Sequence, residues 1–259
     1  MEEEQNMSFW DHLEVLRWSL FRVLIALFVL IVGTFIAMPH VFDRFILGPT
    51  DSSFFIYRLF AGLGGNGTFA PDFSKPFHVD IININVASQF LTHISTAFWI
   101  SLVLVFPYLI FEIWKFLKPA LYENEQSSVR KAFFFGTLLF YIGCAVGYCI
   151  VFPMTFRFLS GYTIGNTITN QINLNSYMSI FLGMVFIMGV AFELPILAWI
   201  LSALGILKKS FLKEYRRYAV VVLLVLAAVI TPSGDPFTLG VVFLPLFLLY
   251  ELSILVVRE

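Results

Sequence analysis

WSLFRVLIALFVLIVGTFIAM, residues 18–38, is an apolar run closed by Pro39. A bilayer core about 30 Å thick takes roughly 20 apolar residues as helix, and this run has that length. Further runs cover 87–116, with Pro107 inside, and 132–152, stopped by Pro153. The fourth, 177–204, carries Glu193 and Pro195. Two further runs, 219–230 and 237–257, flank the turn Thr231-Pro232-Ser233-Gly234-Asp235-Pro236. The pattern predicts an all-α, polytopic membrane protein: six transmembrane helices in one membrane domain over 1–259.

Composition agrees. Of 259 residues 59% are hydrophobic, 18% aromatic and only 13% charged, where a soluble domain carries about 25% charged residues. Mean hydropathy is +0.87. This excludes an ordinary cytosolic enzyme, a nucleic-acid binder and a disordered chain. A net charge of −1 provides no pull toward an anionic polymer. An acidic leader, Glu2 to Glu4, precedes the first run and no small-residue cleavage site follows it, so no cleavable signal peptide is expected.

The last two spans are short. The run 219–230 would be about 18 Å long at 1.5 Å per residue, and the uninterrupted part of the last span is 238–250. Either Arg216, Arg217 and Arg258 snorkel to the surface, or the hairpin thins the membrane. Orientation follows from the basic residues. With the N-terminus inside, twelve Lys and Arg face the cytoplasm, and only Arg44, Arg58, Lys75 and Arg157 lie outside. Both termini are therefore expected in the cytoplasm. The long outer loop carries a glycine-rich tip, Gly62 to Gly67, that lacks the Gly-Lys-Ser/Thr ending of a phosphate loop.

No catalytic set stands out. His12, His40, His78 and His93 have no metal-ligand spacing, and no nucleophile motif is present. No cofactor is expected. Cys144 and Cys149 lie about 500° apart around a helix and read as packing residues, not a disulfide.

The informative residues are acids. Glu193 falls near mid-bilayer, where an acid costs about 2.5–3.5 kcal/mol. It reads either as a protonated core residue bonded to a neighbouring helix, or as a polar contact or proton site. Glu112, Glu123 and Glu125 lie beside Lys115 and Lys118 and, by charge pattern, read as a solvated face. Before the first span, Ser8 and Asp11 fit a capping box that starts a helix over 8–17. Phe9, Leu13 and Leu16 form one stripe, with Asp11 and Glu14 opposite. This segment is a membrane-surface anchor or an acidic docking face for a basic ligand.

Taken in order, several motifs resemble the TatC family, the core subunit of the twin-arginine protein translocase. They are Phe9-x-x-His12-Leu13-x-x-Leu16-Arg17, and Phe111-x-x-Trp114-x-Phe116-x-x-Pro119-Ala120-Leu121-Tyr122-x-x-Glu125. Phe140-Tyr141-x-Gly143, Phe152-Pro153 and Phe192-Glu193-x-Pro195 follow. Arg216-Arg217-Tyr218 and Thr231-Pro232-Ser233-Gly234-Asp235 complete the set.

The resemblance implies a concave six-helix scaffold in the bacterial inner membrane. It implies binding of folded precursors through Arg-Arg signal peptides at the cytoplasmic face. It further implies recruitment of single-span TatA- or TatB-type partners, driven by the proton-motive force. Self-association and lipid contacts are compatible with it.

In the family two acids hold the two arginines, and Glu125 matches the second. The first position is Val15 here. Glu14, one residue earlier, and Asp11, one turn earlier, are the substitutes, with Arg17 closing the same motif. A guanidinium pairs bidentately with a carboxylate, which lysine cannot reproduce. Exposed pairs contribute only about 0–1 kcal/mol each, so recognition must draw also on the signal's apolar stretch.

The rival reading is a proton-coupled small-solute transporter using Glu193. Such carriers often show internal repeats, and the two halves of this chain share no motif.

Overall fold

The structure is a computed structural model that describes residues 9–62, 76–118, 123–165, 170–203 and 205–257. The capping box, the glycine-rich tip, the 119–122 segment and Arg258 lie outside the described residues or side chains.

The chain is a helical bundle. α1 runs Phe9–Val41 and continues through a π turn, Phe42–Ile46, and a 3-10 turn, Gly48–Thr50. The short α2, Phe55–Gly62, follows. α3 is Ser88–Leu117 and α4 is Glu123–Val146. A second π turn, Gly147–Val151, leads into α5, Phe152–Gly161. Then come α6, Leu174–Ala191, α7, Leu194–Ala203, and α8, Lys209–Glu214. α9, Arg216–Ile230, and α10, Pro236–Val256, form the closing hairpin. Two-residue strands, β1 (Ile81–Ile82) and β2 (Ile172–Asn173), pair in parallel and tie two connecting segments together at one end.

The first span was expected to end at Pro39, but α1 passes through it. Proline removes the N–H that would bond the carbonyl four residues earlier, here that of Phe35. His93 on α3 supplies the missing donor: its Nε2–H reaches the Phe35 carbonyl at 2.8 Å, with the two rings stacked 3.8 Å apart. Pro107 inside α3 is treated the same way. It frees the Val103 carbonyl, which accepts from the Tyr141 hydroxyl on α4 at 3.3 Å. Pro153, expected to stop the third span, instead occupies the first turn of α5, where a missing N–H costs little. The π turn before it carries the helical path onward.

Small residues set the closest helix crossings. α1 lies on α3 over fully buried Ala97 and Ser101, with the Thr34 hydroxyl 2.7 Å from Ser101 Oγ. α4 meets α6 at glycines. A methyl group on Gly143 would come within 2.6 Å of the Met188 carbonyl, and one on Gly189 within 2.6 Å of Cys144 Sγ. Phe152, Phe156, Tyr177, Phe181, Met184 and Met188 form the centre of the core around these contacts. The Tyr57 hydroxyl donates to the Pro49 carbonyl at 2.9 Å, and the Tyr148 hydroxyl to Phe45 at 2.8 Å, closing the bundle end beside the strands.

Among the described residues, five helical stretches are long and apolar enough to cross a bilayer: Leu13–Thr50, Ser88–Phe116, Arg130–Gly161, Leu174–Ala203 and Pro236–Val256. α9 has 15 residues, about 22 Å, and is short as expected; α10, also expected to be short, has 21 residues, about 32 Å, because its helix continues through Glu251 to Val256. Phe28, Val29 and Ile36 of α1, and Val221, Val222, Val225 and Val229 of α9, stay exposed in the isolated chain. That is the surface a hydrocarbon solvent would cover.

Candidate functional site

Two polar regions stand out from this apolar frame. The first lies where α1, α3 and α4 have their ends. α1 is one uninterrupted helix from Phe9, so the acidic segment and the first span form a single rod. Glu14 is exposed on it and, among the described residues, meets no ion-pair partner. Arg17 is exposed too, its guanidinium 5.8 Å from the Trp18 ring centroid and 5.9 Å from that of Phe21. Asp11 belongs to α1 and Glu125 to the first turn of α4. The side chains of both lie outside the described residues.

Below Glu14 sits a contact that the charge pattern had not revealed. Arg22 donates from Nε and Nη2 to Glu112 Oε2, at 3.2 and 2.9 Å, and from Nη2 to Ser19 Oγ at 3.0 Å. Glu112 is only 4% exposed, Arg22 40%. Glu112 is therefore an enclosed anion on α3 held by a cation of α1, not part of a solvated face. Each is a lone charge inside an apolar run, SLFRVLI and LIFEIW. Two such charges of opposite sign near the ends of different spans were the signal available for pairing them.

The second region is the break between α6 and α7. Phe192 and Glu193 form a turn, and Pro195 opens α7. Ala203 ends α7 ten residues on, which puts Glu193 about 15 Å from that end. Glu193 is half-buried, and its Oε1 is buried with no hydrogen-bond partner among the described residues. Gly136 on α4 lies against the carboxylate, where a methyl group would come within 3.0 Å of Oε2. Next to the turn opens an apolar cleft of about 1130 Å³. Phe192, Ile150, Phe158, Phe237, Val241 and Leu248 line it. A spare carboxylate oxygen beside an apolar trough can bond a polar group arriving on an apolar surface.

Among the described residues no group of His, Cys, Asp and Glu is placed to hold a metal ion. The fold defines the class: a polytopic α-helical membrane protein.

The family is settled by comparison. The profile described as Sec-independent protein translocase protein (TatC) matches residues 11–245, and the chain belongs to that family. A TatC from Blattabacterium sp. subsp. Periplaneta americana (strain BPLAN) is 35% identical over 98% of this chain and 96% of its own length. One from Carboxydothermus hydrogenoformans is 27% identical over 99% and 95%. Two crystal structures of the twin-arginine translocase receptor TatC superpose on the fold. One has a TM-score of 0.75 at 26% identity, covering 96% of this chain and 100% of that one. The other has 0.69 at 25% identity, covering 95% and 97%. The chain is thus a component of protein transport, not an enzyme.

Proposed function

We propose that this chain is the signal-peptide receptor and core subunit of a twin-arginine translocation complex. It sits in the bacterial cytoplasmic membrane with both termini in the cytoplasm, the orientation favoured by the basic-residue asymmetry. Glu14, with Asp11 one turn earlier, and Glu125 on α4 receive the two signal arginines, and Arg17 borders the site. The observation that carries this reading is Glu14: exposed, unpartnered among the described residues, and on a helix whose position is locked by Arg22 and Glu112. A carboxylate already engaged could not select a guanidinium.

Two exposed pairs contribute about 0–2 kcal/mol together. The signal's apolar stretch supplies the remainder by lying along the apolar cleft. Glu193 serves a later step. It offers its free oxygen to the polar residue of a TatA- or TatB-type single-span partner, an interhelical bond of about 0.6–2 kcal/mol. That strength biases a reversible assembly, driven onward by the proton-motive force, without locking it.

The test is co-purification of the detergent-solubilised chain with an Arg-Arg signal peptide and with its Lys-Lys counterpart. Retention of the first and loss of the second support the reading. Equal retention of both contradicts it. Glu193→Ala should leave this binding intact while lowering export of a folded passenger and crosslinking to the single-span partner. Glu193→Gln should keep much of the activity, because it retains the hydrogen bond; loss in both variants would point to proton transfer instead.

A further inference from the structure

The hairpin of α9 and α10 is fastened at its open end. Arg216, first residue of α9, forks onto Glu251 of α10: Nε donates to Oε1 at 2.6 Å, and Nη2 donates to Oε2. The Tyr250 hydroxyl donates to the Leu212 carbonyl at 2.6 Å and pins α8 to the same end of α10. Between these ties lies an open cleft of about 680 Å³. Val220 and Phe247 form its apolar side. Lys213, Arg216 and Arg217 bring cations, Glu214 and Glu251 anions. Glu251 is engaged by Arg216. Among the described residues neither Lys213 nor Arg217 lies within ion-pair distance of a carboxylate. Lys208 and Lys209 stand just ahead, so five basic residues fall within 208–217.

A second, independent feature accompanies the charge. Phe211, Tyr215 and Tyr218 are all exposed and form a ladder of rings, 4.5 Å and then 5.8 Å between centroids. Exposed aromatics interleaved with Lys and Arg at the end of a span mark the membrane–water boundary. The 15 residues of α9 cover about 22 Å, against a hydrocarbon core of about 30 Å. The cations at its start are therefore held at or below the ordinary headgroup level. Charge that deep needs an anion that itself belongs to the membrane.

We infer that this cleft binds the headgroup of an anionic phospholipid. The phosphodiester sits between Lys213 and Arg217, and an acyl chain passes Val220 and Phe247. The apolar side distinguishes this ligand from free phosphate, and the ring ladder distinguishes it from an acidic protein segment. Such a lipid anchors the short α9 in the membrane, a role separate from signal recognition.

The experiment is native mass spectrometry of the full chain in neutral detergent, titrated with phosphatidylglycerol or phosphatidylcholine, with and without inorganic phosphate. Phosphatidylglycerol should be retained about 30-fold more than phosphatidylcholine, the effect of two basic side chains at about 1 kcal/mol each. Lys213→Gln with Arg217→Gln should abolish that preference. Lys213→Arg with Arg217→Lys, which keeps the charges, should preserve it. Equal retention of the two lipids, or an undiminished preference in the double glutamine variant, overturns the proposal. So does complete displacement of the lipid by millimolar phosphate. Loss of crosslinking to a single-span partner with lipid retention unchanged would assign the patch to a protein and equally overturn it.

Discussion

Arg22→Leu tests the lock between α1 and α3. Glu112 is 4% exposed and accepts from both Nε and Nη2 of Arg22. Removing one partner of a fully buried pair costs about 3–5 kcal/mol, whereas exposed pairs contribute only about 0–1 kcal/mol. Arg22 is 40% exposed, so the expected cost lies between these limits, about 2 kcal/mol. In a protein of this size that corresponds to a fall of about 4–8 °C in apparent Tm, readable from tryptophan fluorescence during heating in detergent. Glu112→Leu should cost less, because the arginine left behind can reach the surface. The double variant should recover part of the loss of Arg22→Leu, because no enclosed charge is stranded. An unchanged Tm in Arg22→Leu, or a larger loss in Glu112→Leu than in Arg22→Leu, would show that the pair does not lock α1 to α3.

Gly143→Ala would place a methyl group within 2.6 Å of the Met188 carbonyl and 2.7 Å of Phe192 Cβ. The helices must part, at about 1–3 kcal/mol, so Tm should fall, and export with it if the neighbouring Glu193 is displaced; an unchanged Tm would show that the crossing has slack. Asp235 caps α10 through the Phe237 and Thr238 amides at 3.0 and 2.9 Å. Burial pushes its carboxyl up, but hydrogen bonds from Ser233, Thr238 and these amides outweigh that and hold it below the usual 3.8. Its ionised form therefore stabilises the fold above about pH 4, and that contribution is lost as pH falls through the lowered value. Asp235→Ala should cost about 1 kcal/mol at neutral pH and less under acid, and equal losses at pH 7 and pH 3 would contradict the cap's charge.

Local pattern carried the helices, because apolar runs of membrane-spanning length state themselves residue by residue. It also carried the shortness of α9, but not the length of α10, whose helix runs unbroken beyond the purely apolar residues 238–250. What it could not carry was which proline ends a helix. Pro39 and Pro107 are passed because His93 and Tyr141, on other helices, bond the carbonyls they orphan, and nothing near either proline announces such a donor. The same holds for Glu112, read as solvated beside Lys115 and Lys118, whose partner lies ninety residues earlier. Glu193 was legible as an acid at mid-span; its place at a helix break, against Gly136 and beside an apolar cleft, required the fold.

In the proposed receptor, carboxylates on α1 and α4 select two signal arginines. The direct measurement is photo-crosslinking of an Arg-Arg signal peptide to this chain in membranes, comparing Glu14→Ala, Asp11→Ala, Glu125→Ala and Glu125→Lys at equal protein levels. The adduct should weaken in Glu125→Ala and weaken further in Glu125→Lys, where like charge faces the arginines. Glu14→Ala should lose more than Asp11→Ala, because the longer side chain reaches further toward the Val15 position. An undiminished adduct in Glu125→Lys would contradict this selection.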